Sequence, residues 1–199
     1  MENNWMENIL NDDILKDYLT FTSLYIALYE NFVDYVESNI KSFLCLEEIE
    51  DGKLVYKITP KYRDEIKNRV VDEKNNKNIT KASFLWLVDQ GALTQSEYVR
   101  FLEIKEVRNS YAHDLTNYII NGIDTSHISL MLDMIAMYKK VSKWWFINID
   151  AEIMGYEIDE SADIKSLANL TFDIILNVLY NGKSKEYQQI LKEALSKNP

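Results

Sequence analysis

Glycine and proline are scarce in this chain, at 5 and 2 of 199 residues. Breakers that rare exclude collagen-like, linker-rich and turn-dense architectures, and they favour long uninterrupted elements, which are usually helices. Cysteine occurs once, as Cys45, which excludes an intrachain disulfide. With two histidines beside it, a zinc site of the usual Cys and His kind is hard to assemble, and carboxylate-bound magnesium is the remaining metal alternative. No cofactor is expected. No run of about 18 apolar residues occurs, so no membrane-spanning helix is expected. The N-terminus shows no basic stretch followed by an apolar run, so no secretory leader is read and a cytoplasmic location is expected. Positive charge is also short. Lys and Arg number 22 against 32 Asp and Glu, a net charge of −10, and such a surface repels phosphate on average. Any RNA-binding reading must therefore confine its positive charge to a small cleft.

Apolar residues make up 47% of the chain, enough for one compact domain over 1–199 with a core at about 10–150 and C-terminal helices at 160–197 packed on it. From Asp13 to Leu44, Leu15, Tyr18, Leu19, Tyr25, Ile26, Tyr29, Phe32, Val33, Val36, Ile40 and Phe43 recur at threes and fours, the mark of an amphipathic helix. Asn11, Asp12 or Asp13 would cap it. Around Asp51-Gly52 the alternation of Leu54, Tyr56 and Ile58 predicts a small β-hairpin at 46–59. Pro60 opens a helix to about Val71, and the polar run 72–78 is a surface loop. Thr80 is read as the cap of a helix through Asp89, ended by Gly91. Thr94 and Glu97 form a capping box that starts the next helix. After Asn121-Gly122, a helix from Asp124 or Thr125 carries Ile128, Met131, Leu132, Ile135, Tyr138, Ser142, Trp145 and Ile149 on one face. Helices near 162–180 and 184–197 complete an all-α bundle with one hairpin.

The chemistry concentrates in Arg108-Asn109-Ser110-Tyr111-Ala112-His113. On an ideal helix over 98–115, Tyr98, Phe101, Ile104, Val107, Tyr111, Ala112 and Leu115 share an apolar face, and Arg108 falls inside it. A guanidinium there needs a partner, a ligand or an interface. Asn109 and His113 are helix neighbours, whereas Arg108 and His113, five apart, point about 140° away from each other. Either the helix is distorted near Ser110, or Arg108 of one chain meets His113 of a second.

The motif resembles the signature of the HEPN superfamily, an arginine followed by a polar residue and then, after four to six intervening residues, a histidine; RNSYAH has four. The preceding helix Phe84-Leu85-Trp86-Leu87, the gap Gln90-Gly91-Ala92 and the helix from Tyr98 to Val107 are similar in pattern, over roughly residues 10–150. The resemblance implies a HEPN-like helical bundle, a homodimer and metal-independent RNA cleavage. In that reaction the ribose 2′-hydroxyl attacks the adjacent phosphate and leaves a 2′,3′-cyclic phosphate and a 5′-hydroxyl. His113 would move protons near neutral pH, Arg108 would hold phosphate oxygens, and Asn109 would position phosphate or His113. Acid and base call for two proton-transfer groups, and a single histidine per motif is a chemical reason for two chains to pool their sites. The implied role is a toxin or antiviral defence ribonuclease, with an antitoxin or defence-system protein as a further partner. Some HEPN toxins carry a tyrosine two residues after the histidine that an antitoxin adenylylates; Leu115 stands there, so that control is not expected. The alternative is a non-catalytic HEPN-like module that binds a nucleotide or a protein, with Arg108 as interface anchor.

Other residues carry plainer readings. His127 could assist catalysis, but a polar residue in a first helical turn is more often solvated. Asp114 adjoins His113 and is poorly directed to orient it. Trp144-Trp145-Phe146 reads as core or interface before base stacking, the acidic run Glu47, Glu48, Glu50 and Asp51 as a solvated hairpin tip, and Cys45 as a small buried group.

Overall fold

The computed structural model describes residues 11–155. These are mostly helical, with one two-stranded antiparallel sheet. Helix α1 is Asp12–Leu44, strand β1 is Leu46–Glu50 and β2 is Lys53–Lys57. Next come α2, Pro60–Tyr62, which continues as a π-helical turn over Arg63–Lys67, and α3, Ile79–Asp89. Helix α4 is Gln95–His113, α5 is Leu115–Asn121 and α6 is Thr125–Trp145. A π-helical turn at Phe146–Asp150 leads into α7, Ala151–Met154. The helices read at 162–180 and 184–197 lie outside the described residues.

The chain divides into two compact units, one holding 11–29 and 99–155 of the described residues, the other Glu30–Tyr98. In the second unit, Phe32, Val33, Val36 and Ile40 of α1 are buried, as are Phe84, Trp86 and Leu87 of α3. Phe32 meets Phe84 edge to face at 5.1 Å between centroids, and Trp86 Nε1 donates to Glu65 Oε2 at 2.9 Å. The hairpin closes as the sequence requires, because Asp51 (φ 50°) and Gly52 (φ 74°) both take left-handed backbone, the pairing of a type I′ turn that matches strand twist. Its register pairs Leu46 with Lys57 and Ile49 with Leu54, and Lys57 forms ion pairs with Glu48 and Glu50.

Local chemistry explains most helix starts. Asn11 Oδ1 accepts from Asp13 N at 3.1 Å and Ile14 N at 3.3 Å, which caps α1. Thr94 and Glu97 form the capping box, with Thr94 N donating to Glu97 Oε2 at 2.6 Å and Glu97 N to Thr94 Oγ1 at 3.2 Å. Three expectations need correction. The cap of α3 is Asn78, whose Oδ1 accepts from Lys81 N at 2.9 Å, while Thr80 Oγ1 donates to Glu37 Oε1 at 2.7 Å. The helix after Pro60 widens to a π turn and stops at Lys67 instead of Val71. On α1, Leu19 and Phe43 are exposed, whereas Phe21 and Leu28, outside the predicted stripe, are buried.

In the first unit, Phe21, Tyr25 and Tyr29 of α1, Phe101, Ile104 and Tyr111 of α4, and Met131, Met134, Tyr138 and Val141 of α6 are buried. Arg100 ties α4 to α6, its Nε donating to Asp133 Oδ2 at 2.7 Å. The predicted face of α6 is buried at Ile128, Met131, Ile135, Tyr138, Ser142 and Trp145. Gly122 separates α5 from α6 with φ 85° and ψ 171°, a region open essentially to glycine alone. A Cβ there would stand 3.1 Å from Tyr18 Oη. Gly122→Ala is therefore expected to cost about 1–3 kcal/mol, measured by urea unfolding, and more than Gly52→Ala, which shares the strain of a positive φ but has nothing within 4 Å of an added Cβ. No described helix is long and apolar enough to cross a membrane.

Candidate functional site

Helix α4 runs unbroken through the motif to His113, and Asp114 N still donates to Ser110 O at 2.8 Å. Of the two geometries open to Arg108 and His113, the distorted helix is thus set aside. Along an intact helix five residues add about 7.5 Å of rise and about 140° of turn, so within one chain the two side chains leave α4 in divergent directions.

Arg108 is half-buried. Its guanidinium lies over the Tyr29 ring, 5.6 Å from the centroid, and the quadrupole of that ring offsets part of the desolvation of the cation. The Tyr29 ring is itself stacked on Phe101, at 5.8 Å and 8°. Arg108 Nη1 donates to Asn109 Oδ1 at 3.2 Å. Asn109 therefore holds Arg108 in this arrangement, not His113. His113, the last helical residue, is exposed, as are Ala112 and Asp114. Exposure of Ala112 corrects the broad apolar face drawn for 98–115, which ends at Tyr111.

The helix then breaks where the sequence reading continued it. Asp114 takes φ −134° and ψ 38°, and α5 restarts at Leu115. On a continuous helix Ser110 and Tyr118 would lie about 12 Å apart along the axis. The break brings Tyr118 Oη to 2.7 Å from Ser110 Oγ and sets the Tyr118 ring edge to face with Tyr111 at 4.6 Å. Ser110 Oγ also donates to Val107 O at 2.9 Å, which spends its one proton and makes Tyr118 the donor to Ser110.

His127, expected to be a solvated first-turn residue, is instead half-buried and hydrogen-bonded. Its Nδ1 lies 2.6 Å from Tyr111 Oη, and its ring is edge to face with Tyr111 at 5.4 Å. The available signal was Tyr111 itself, since a tyrosine on a buried face brings a hydroxyl that needs a partner. Burial pushes the His127 imidazole below its ordinary pKa, against the opposing pull of the Asp124 carboxylate. A histidine whose folded pKa lies below its unfolded one binds its proton more readily in the unfolded chain. Its contribution to stability is complete above the unfolded value of about 6.5 and is lost as pH falls from there through the folded value. Urea unfolding between pH 7.5 and 5 is expected to show a steeper acid loss for wild type than for His127→Asn.

The other weighed residues fall as follows. Trp145 is buried and Trp144 half-buried, with rings 6.0 Å apart, and Cys45 is buried. Among the described residues no three His, Cys, Asp or Glu side chains converge so as to hold a metal ion. No protein-family model, no curated protein and no solved structure matches this chain.

Proposed function

We propose that the chain is a HEPN-like, metal-independent endoribonuclease working as a cytoplasmic toxin or antiviral defence effector, with its site completed when two copies bring Arg108 of one chain to His113 of the other. The observation that carries this reading is the continuity of α4 through the motif, which turns Arg108 and His113 of one chain apart while leaving His113 exposed at the helix end. The Tyr29 ring and Asn109 give Arg108 a fixed seat, as a preorganised phosphate ligand requires. In the reaction, a base takes the proton of the ribose 2′-hydroxyl as its oxygen bonds to phosphorus. The bond from phosphorus to the 5′-oxygen breaks, and an acid protonates that leaving oxygen. His113 suits either transfer, and two pooled copies would supply both. Two Arg108 guanidinium groups would make the shared cleft positive on an otherwise acidic protein.

The test is incubation of wild type with total RNA in EDTA, followed by analysis of the ends. The expected products carry 2′,3′-cyclic phosphate and 5′-hydroxyl ends. Inactivity on tRNA, rRNA and mRNA alike would favour the non-catalytic reading, in which the seated Arg108 anchors a nucleotide or protein partner, an antitoxin or defence protein among them.

A further inference from the structure

The last turn of α4 is where His113 must be aimed, and side chains on its flank tie it to α5 and α6. Past the bond from Asp114 N to Ser110 O, the chain turns at Asp114, whose carbonyl accepts from Asn117 N at 3.1 Å at the start of α5. The carbonyls of a terminal turn lack helical partners, and such turns fray unless side chains secure them. Two successive residues do this here. Ser110 is bonded to Tyr118 of α5 at 2.7 Å, and Tyr111 to His127 of α6 at 2.6 Å. Tyr111, 1% exposed, is also set edge to face against Tyr25 at 5.3 Å and Phe21 at 6.3 Å.

From this arrangement we infer that His127 is a positioning residue for His113, acting through the Tyr111 hydroxyl to fix the terminal turn of α4 while Tyr118 fixes it through Ser110. The inference rests on the reading of His113 as the proton-transferring group. His127 follows Asp124, which caps α6 by accepting from Ser126 N at 2.8 Å. It is thus held at a helix start whose place is itself secured, and it passes that constraint to α4 through one short hydrogen bond. Tyr111→Phe keeps the ring packing and deletes the bond. His127→Leu deletes it from the other side. His127→Asn retains a polar atom near the Nδ1 position.

The experiment is NMR of the imidazole side chains, made tractable because the chain has two histidines, joined to steady-state kinetics on RNA. In Tyr111→Phe and in His127→Leu, the His113 ring signals are expected to shift and its ring mobility to rise, with His127→Asn close to wild type. On RNA, kcat is expected to fall about tenfold with KM little changed, the pattern of a group displaced by less than about 1 Å. Unchanged His113 signals in a folded Tyr111→Phe would overturn the inference whatever the kinetics. The NMR needs no substrate, so it stands apart from the nuclease reading: an inactive wild type with coupled His113 signals would sink the nuclease and leave the mechanical link. If His127→Leu proves unfolded by circular dichroism, Tyr111→Phe decides alone.

Discussion

His113→Ala is expected to abolish RNA cleavage, with a loss of at least about a hundredfold, the lower range for removal of a general acid or base. Its fold should be untouched, because His113 is exposed at the end of α4 and surface changes of this kind move stability by about 0.5 kcal/mol or less. Arg108→Ala is expected to lose about 10²–10³ in kcat, as when one oxyanion-stabilising donor is removed, and it also empties the seat over Tyr29. The pair separates chemistry from structure: a folded, inert His113→Ala identifies the proton-transfer group, whereas retained cleavage would place catalysis elsewhere in the chain. Growth arrest on expression, relieved by either substitution, is the cellular counterpart.

The largest expected effect on stability comes from Phe101→Ala, at about 3–5 kcal/mol. Phe101 is wholly buried, and its ring is the stacking partner of Tyr29, which in turn carries the Arg108 guanidinium. Truncation leaves a cavity between α1 and α4 that neither helix can collapse into without moving its own aromatic neighbours. Val99→Ala, on an exposed position two residues earlier, is the control and should fall within about 0.5 kcal/mol of wild type. Urea unfolding of both gives the comparison. A Phe101→Ala cost near that of Val99→Ala would mean that the aromatic ladder from Phe101 to Arg108 does not support the site.

Features with a local cause were legible in the sequence. Asp51-Gly52 declares its turn because two left-handed residues in succession suit few other pairs, and Thr94 with Glu97 satisfies backbone donors within four residues. The α1 stripe followed from the 3.6-residue period, apart from Leu19 and Phe43 at its edges, where burial depends on what lies opposite. The break at Asp114 had no such signal. No glycine or proline marks it, and what accompanies it is tertiary, the return of Tyr118 to Ser110 and Tyr111. The choice of Asn78 over Thr80 likewise involves a distant contact, Glu37 taking the Thr80 hydroxyl, and the π turn after Tyr62 had no local signal. Within the site, the motif residues and their angular divergence could be read from spacing. The bond from Tyr111 to His127 could not, because it joins residues 16 apart on helices whose approach no local rule sets.

The pooled site has a direct measurement. Chains carrying Arg108→Ala and His113→Ala, each inert alone, are co-expressed with different tags, and the mixed species is purified and assayed on RNA in EDTA. The mixed species restores one Arg108–His113 pair across the two chains but keeps a single proton-transferring His113, so a rate above that of either parent and well below that of wild type is expected. A mixed species as inert as its parents, beside an active wild type, would contradict a site shared between two copies.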